Sequence, residues 1–336
     1  MDNLIFIWKR SIGGSQIRAK FLSENLSNSE LIEIENFASN RYRDLKILNY
    51  IIVIIRLRTY LKNRDFKRLI CFGIFPTKIV FWSKLFSFKR GLVHFHEITT
   101  PLLALRYSRF GIRKYLDLFS RFIYYNLCEE VSANSLKGVS EVSMMSFNKN
   151  VLYFPPVLVQ KTSQQEMILN KYVLAYGRLI VSKRFDLLIR CYSKSSQKLP
   201  LYIVGDGPER IKLVKLVEKL KLETRVFIFS SETDVLNKFV DALFVFHLSL
   251  YEGMSNAVLE SIFGGRICVI SYGSSELIYL KKHLNDILYF VNTEYEIIDL
   301  FEKIFGFNFY YPDYNLLNSF NPTNTSLKVI QNICNK

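Results

Sequence analysis

Three short segments bring charged and flexible residues together at spacings that suit an anion. In Tyr176-Gly177-Arg178-Leu179-Ile180-Val181-Ser182-Lys183, two cations five residues apart follow a glycine. A guanidinium with its fork of donors and an ammonium acting as a point charge could clamp a diphosphate; the same pair would also serve an ordinary solvated loop. In Val204-Gly205-Asp206-Gly207-Pro208-Glu209-Arg210, an apolar run ends in two glycines around an acid, and Pro208 is suited to open a helix. Gly205 would let the backbone approach a ligand, whereas Asp206 equally suits the capping of a tight turn.

The third segment is Leu250-Tyr251-Glu252-Gly253-Met254-Ser255-Asn256-Ala257-Val258-Leu259-Glu260. Ser255 or Asn256 can cap a helix whose unpaired N–H groups and positive dipole end point back at Gly253, which makes an anion site fit for a pyrophosphate. Glu260 lies about one turn further in, ~6 Å along the axis, where its carboxylate could accept from a vicinal diol such as a ribose. Glu252 and Glu260 would then flank one phosphate site. A lone pair of glutamates at this spacing is common on helix surfaces, so the motif gains meaning only from its company.

The elements that must position these loops alternate between strand-like and helix-like runs, as in a doubly wound α/β sheet. Expected strands in the first half are Leu4–Trp8, Arg68–Ile74, Leu92–His96, Glu130–Ala133 and Val151–Phe154, with helices over Ser15–Leu26 and Leu45–Lys62. The alternation stops at Pro155-Pro156, and a polar Gln160–Glu166 linker follows. It restarts with strands at Tyr172–Tyr176, Leu201–Val204, Val226–Phe229, Ala242–His247 and Ile267–Ser271. The helices between them are Phe185–Ser193, Glu209–Lys219, Val235–Phe239 and Asn256–Phe263. In open parallel sheets ligands bind beyond the carboxyl ends of the strands, and all three segments lie there.

The chain's 336 residues, 49% hydrophobic and 15% aromatic, suit two packed domains rather than one or a disordered chain. Five scattered cysteines, Cys71, Cys128, Cys191, Cys268 and Cys334, indicate neither a disulfide framework nor a zinc site and read as reduced core thiols in a cytoplasm. Leu4–Trp8 is too short for a signal peptide. The apolar Ile47–Ile55 falls short of the ~20 residues that span a bilayer and reads as a buried helix. Residues 1–160 hold 24 Lys and Arg against 12 Asp and Glu, while residues 161–336 hold 21 against 18. The basic first half mixes cations with aromatics, in Phe81–Arg90 and Leu105–Phe110, which suits either an anionic membrane surface or core aromatics beside a solvated face.

In this order and within 84 residues, Gly-Arg-Leu-x3-Lys, Gly-Asp-Gly-Pro-Glu-Arg and Glu-Gly-x-Ser-Asn-Ala-x-Leu-Glu resemble the donor domain of family 4 glycosyltransferases, over roughly Tyr172 to Ile278. Gly13-Gly14-Ser15, Val93–Glu97, Ser132–Ser135 and Val151–Pro156 fit the amino-terminal half of that family. The resemblance implies a GT-B fold of two Rossmann-like domains facing a cleft. Residues 1–160 would form the acceptor domain, 161–320 the nucleotide-sugar donor domain, and 321–336 a helix returning to the first.

It further implies that Arg178 and Lys183 hold the donor diphosphate, Glu260 the ribose, and Glu252 the transferred sugar. Gly177, Gly205, Asp206, Gly253, Met254, Ser255 and Asn256 would line the donor, Gly13 and Gly14 close over it, and His96 either stand near the sugar or simply pack at its strand end. The implied chemistry is transfer with retention, without a metal or other cofactor, from a UDP- or GDP-sugar to a polyprenyl-linked saccharide in bacterial surface polysaccharide synthesis, at the cytoplasmic face of a membrane. The departing phosphate would act as base. Ile267 replaces a proline usual in the family, and Lys281–Asp286 replace a glycine-rich turn. Rival readings are a nucleotide-sugar epimerase on the same fold, or a basic nucleic-acid-binding or scaffold protein; the chain carries no nucleic-acid reader motif that would favour the latter.

Overall fold

The computed structural model describes residues 2–8, 14–39, 46–87, 90–107, 111–147, 149–157, 172–231, 242–272 and 287–303, with residues 235, 277, 284, 323 and 326–328. They belong to two compact units, Met1–Val157 with Pro322–Lys336, and Leu158–Asn321.

The first unit runs β1 (Asn3–Ile7), α1 (Gly14–Asn25), β2 (Ser29–Glu33), a 3-10 turn (Ile34–Phe37), α2 (Lys46–Lys62), β3 (Arg68–Phe72), α3 (Ile74–Ser87), β4 (Leu92–Glu97), α4 (Pro101–Tyr107), α5 (Gly111–Leu127), β5 (Glu130–Ala133), α6 (Leu136–Met145) and β6 (Leu152–Tyr153). Its parallel sheet has the order β2-β1-β3-β4-β5-β6. Every residue of β1 is buried, as a strand covered on both faces requires. Its side chains alternate between two cores. Leu4 and Phe6 join residues of α2, α3, α5 and α6, while Ile5 and Ile7 join Ala19, Leu22 and Leu26 around α1. Right-handed crossovers from β2 to β3, β3 to β4, β4 to β5 and β5 to β6 all run the same way along the sheet, so α2, α3, α5 and α6 form one layer, with α2 packed on α3, α3 on α5 and α5 on α6.

The second unit runs β7 (Tyr172–Tyr176), a 3-10 turn (Val181–Lys183), α7 (Phe185–Lys194), β8 (Leu201–Val204), α8 (Arg210–Lys219), β9 (Val226–Phe229), β10 (Ala242–His247), α9 (Asn256–Phe263), β11 (Ile267–Ser271), β12 (Leu288–Val291) and α10 (Glu294–Lys303). The parallel order β12-β11-β10-β7-β8-β9 reverses direction between β7 and β10. That is the switch point at which the loops after β7 and β10 diverge and leave room for a ligand. The expected α/β class with two doubly wound sheets is therefore the observed one.

Differences from the sequence reading are local. Ile47–Ile55 is helical but not buried as expected: Val53 and Leu57 pack inward, while Ile47, Ile51 and Ile55 are exposed. Of the helix expected over Val235–Phe239 only Val235 lies among the described residues, and it is helical. Cys71, Cys128, Cys191 and Cys268 are free and buried, and Cys334 lies outside the described residues.

In the second unit the loops after β7 and β8 are joined backbone to backbone. Gly177 N–H donates to Val204 O at 3.0 Å, Leu179 N–H to Asp206 O at 2.9 Å, and Glu209 N–H to Leu179 O at 3.1 Å. A Cβ on Gly205 would stand 1.9 Å from the Gly177 carbonyl oxygen, and one on Gly207 2.3 Å from that of Leu179. Gly205 also has φ +157°, and its freedom serves an approach to protein backbone. Gly205→Ala is expected to destabilise the second unit by about 2–4 kcal/mol, through steric displacement and backbone strain, measured as the shift in a denaturant unfolding midpoint.

Candidate active site

β7 ends at Tyr176, and Gly177 turns the chain at φ +136°, a conformation closed to other residues at low cost. Leu179 is fully buried and anchors the loop, which leaves Arg178 exposed, its guanidinium without a hydrogen-bond partner among the described residues. The 3-10 turn closes with Lys183 N–H on Ile180 O at 3.0 Å, and Arg184, left-handed at φ 53°, redirects the chain into α7. This geometry carries Lys183 to Glu252, 2.5 Å from Nζ to Oε1, with the side chains only 18% and 21% exposed. The other carboxylate oxygen accepts from Ser249 Oγ at 2.9 Å. Leu250 N–H donates to Ser182 O at 2.8 Å, and Ser271 Oγ donates to Ser249 O, so the loop after β10 is tied to the 3-10 turn on one side and to β11 on the other.

Gly253 and Ser255 are buried in that loop, and Met254 packs against the main core of the unit. Ser255 stands at the cap position of α9 in extended geometry, but its hydroxyl makes no cap bond; its carbonyl accepts from Leu259 N–H at 3.1 Å. The Asn256 side-chain nitrogen is buried without a partner among the described residues. Uncapped N–H groups and an unspent amide donor thus meet at one helix end, an environment favourable to an anion.

Glu260 sits on the first turns of α9, half-buried, its carboxylate 3.5 Å from the Tyr176 hydroxyl. Tyr176 gives its proton to Ala257 O at 2.7 Å and lies 3.1 Å from Ser261 Oγ, which ties β7 to α9. Burial first, and the charge of Glu260 second, push the phenol well above its ordinary pKa, so it stays protonated. Beside it, His247 at the end of β10 packs edge-on to Tyr176 at 5.1 Å and reaches Ser261 Oγ at 3.4 Å. His247 was not among the residues singled out from sequence. Its signal was position: a titratable group at a strand's carboxyl end, five residues before Glu252.

The fold thus brings Lys183, Glu252, Gly253, Met254, Ser255, Asn256 and Glu260 into one neighbourhood of the second unit. Asp206 is exposed and acts locally, accepting from Ser231 N–H at 2.8 Å, a bond that holds its carboxyl below the usual range. Arg210 donates to Gly205 O and Phe229 O at 3.0 Å each and to Ile228 O at 3.1 Å, latching the ends of β8 and β9. In the first unit, Gly14 opens α1 and Gly13 lies outside the described residues. His96, expected beside a sugar, is fully buried there. Arg18 donates to its Nε2 at 3.1 Å, its Nδ1 meets Ser132 Oγ at 2.8 Å, and Phe72 and Phe154 pack on its ring. Burial, and then the charge of Arg18, hold this imidazole well below its ordinary pKa. Among the described residues no three His, Cys, Asp or Glu converge as a metal-binding group.

Residues 161–305 match the family described as glycosyl transferases group 1, and Lys183, Glu252 and Glu260 all fall inside the match. Most of the second unit is thus similar to the glycosyl transferases group 1. A Campylobacter jejuni relative, N-acetylgalactosamine-N,N'-diacetylbacillosaminyl-diphospho-undecaprenol 4-alpha-N-acetylgalactosaminyltransferase, is 28% identical over 195 residues, 56% of this chain and 52% of that protein. The amylovoran biosynthesis glycosyltransferase AmsD of Erwinia amylovora is 24% identical over 210 residues, 60% of this chain and 58% of that protein. The chain therefore matches somewhat over half the length of these relatives. A crystal structure of Anabaena Alr3699/HepE in complex with UDP and glucose superposes with a TM-score of 0.74 at 14% identity, covering 100% of this chain and 98% of that one. The shared fold is the GT-B architecture.

The buried histidine makes the second unit acid-sensitive. Burial, and then the Lys183 charge, lower the His247 pKa from 6.5 to about 3. Between these values the unfolded chain binds a proton that the fold excludes, so stability is full above the unfolded pKa and falls as pH drops through 6.5 towards 3. The loss approaches 1.4 kcal/mol per pH unit, roughly, inside that window. His247→Gln is expected to flatten the acid limb of the unfolding midpoint against pH, while the share owed to His96 remains.

Proposed function

We propose that this chain is a glycosyltransferase that moves a sugar, with retention of anomeric configuration, from a nucleoside diphosphate sugar to a polyprenyl-linked saccharide. The observation that carries this reading is the Lys183–Glu252 pair beside a helix end whose N–H groups its own cap residue leaves unspent. Within this reading the pair is the resting state. A diphosphate placed between Lys183, Arg178 and the start of α9 takes over the ammonium, and Glu252 is released to meet hydroxyls of the transferred sugar. Glu260 receives the ribose diol. The positive charge that the departing diphosphate needs comes from Lys183, Arg178 and the helix end, so the transfer requires no metal. The departing phosphate accepts the acceptor's proton.

Support for the donor comes from Anabaena Alr3699/HepE, whose crystal structures hold UDP and UDP-glucose on the same fold. Support for the acceptor comes from the Campylobacter jejuni relative, whose name places its acceptor on diphospho-undecaprenol. Among the described residues no helix is long and apolar enough to cross a membrane. We place the reaction in bacterial surface polysaccharide synthesis, on the cytoplasmic face of the membrane, with the enzyme peripheral to it.

Titration calorimetry against UDP, GDP and ADP tests the donor site. One nucleotide is expected to bind selectively, with Lys183→Ala weakening it roughly 10–100-fold through the lost charged hydrogen bond and Glu260→Ala weakening it as well. Glu252→Gln leaves Lys183 unneutralised and is expected to tighten nucleotide binding several-fold while transfer falls. Chelation by EDTA is expected to leave the rate unchanged. Folded protein that binds none of the three nucleotides would overturn the reading.

A further inference from the structure

The helical layer of the first unit has a second apolar face. On α5, Ile112, Leu116 and Phe119 are 78%, 60% and 61% exposed, and Tyr115 and Ile123 are exposed beside them. At 100° per residue these five fall within an arc of about 100°, on a different side from Tyr125, which is fully buried. A helix on the surface of a domain ordinarily turns a polar face to solvent, so α5 is apolar on the side where burial within the unit cannot explain it. The neighbouring helices repeat the pattern, with Trp82, Leu85 and Phe86 exposed on α3 and Ile47, Ile51 and Ile55 on α2. Since α2 packs on α3 and α3 on α5, the three stripes belong to one layer on one side of the sheet. Between α2 and α3 lies an open groove of about 340 Å³, lined by Ile51, Ile54, Ile55, Phe86 and Arg58.

The charge on α2 and α3 has one sign. α2 and α3 carry Lys46, Arg56, Arg58, Lys62, Lys78 and Lys84 and no acidic residue at all. Lys84 is neutralised by Glu129 at 3.0 Å, whereas Arg58 and Lys62 are exposed on the same side of α2 as Ile51 and Ile55. The acid on α5, Asp117, is held by Arg121 at 2.9 Å. A second copy of this chain would bring these cations against their like. A surface of aliphatic and aromatic side chains rimmed by cations instead matches the boundary between acyl chains and anionic headgroups.

We infer that the outer face of α2, α3 and α5 is the surface by which this protein sits on an anionic lipid bilayer, with the α5 stripe and Trp82 in the headgroup boundary and the basic residues of α2 on lipid phosphates. This rests on the proposed lipid-linked acceptor for its biological sense, while the surface itself stands on exposure and charge. Among the described residues no helix is long and apolar enough to cross the bilayer. The face holds the chain at the interface, and a salt-sensitive part of the attraction comes from the cations.

Flotation of the full chain with vesicles tests it. Wild type is expected to float with phosphatidylcholine vesicles containing phosphatidylglycerol, and less with phosphatidylcholine alone or at high salt. Leu116→Glu with Phe119→Glu, both at exposed positions, is expected to cut partitioning by about tenfold or more; Ile211→Glu, at an exposed apolar position on α8, should change nothing. The chain has two tryptophans, so Trp8→Phe leaves Trp82 as the sole reporter, and brominated phosphatidylglycerol should quench it. Wild type that ignores both vesicles, a double variant that floats like wild type, or one that alters only self-association in sedimentation velocity would each overturn the inference. Nucleotide binding measured without vesicles is read separately, so failure of the docking face and failure of the donor site are distinguishable.

Discussion

Two glycines without side chains allow the loops after β7 and β8 to lie against each other, and the Lys183–Glu252 site of the second unit hangs on that contact. Gly205 and Gly207 approach the Gly177 and Leu179 carbonyls more closely than any Cβ would permit, and three backbone hydrogen bonds of 2.9–3.1 Å close the junction. Leu179, pinned inside it, sets where the 3-10 turn begins, and the turn sets where Lys183 points. Arg210 secures the same junction from the other side by bonding to the carbonyls of Gly205, Ile228 and Phe229. The glycine–acid–glycine motif is thus a fastener for the loop that carries the lysine, and Asp206 works within it by bonding to Ser231.

Once Lys183 is fixed, the pairing with Glu252 follows from electrostatics. Two side chains about a fifth exposed lose part of their hydration, and an unpaired charge in that position would be costly, so each serves as the other's counter-ion. The same arrangement leaves the helix end at Asn256 without its usual hydroxyl cap and keeps His247 uncharged beside Tyr176. Such deficits are unusual for buried polar groups, and these lie together at the switch point of the sheet. A ligand carrying two negative charges and a diol would repair several of them at once.

How much of this was legible depends on how far apart the interacting residues lie. Strands such as Tyr172–Tyr176, Leu201–Val204 and Ala242–His247 were read to the residue, because largely apolar runs bounded by glycine or polar residues leave little choice. Helix α5 was not read, because apolar residues on both its buried and exposed sides blur the 3.6-residue period. Strand β2, with Ser29 and Glu30 at its start, lacks an apolar run. At the site, Lys183, Glu252 and Glu260 were visible as a motif, while the Tyr176–Ser261–His247 cluster was not, since 85 residues separate its first pair. His96 is the sharpest case. Its partners Arg18 and Ser132 stand 78 and 36 residues away, and no local pattern tells that the ring is enclosed.

The first unit answers a different physical problem, that of holding a helix whose apolar stripe gains nothing from the core. α5 is kept in place by polar contacts on its inner side and at its end. Glu97, wholly buried at the end of β4, accepts from Tyr125 Oη at 2.6 Å and from Arg121, and its other oxygen receives the Ile98 and Thr99 N–H groups at 2.9 Å. Lys149 caps the carbonyls of Tyr125, Asn126 and Cys128 at the helix end, where a cation also meets the negative pole of the dipole. Trp82 Nε1 donates to Tyr124 Oη at 2.9 Å and locks α3 to α5. Buried ionic contacts are a poor source of net stability but a good source of orientation, because a half-made set costs more than no set at all. With its inner face fixed in this way, α5 can keep Ile112, Leu116 and Phe119 turned outward without sliding to bury them.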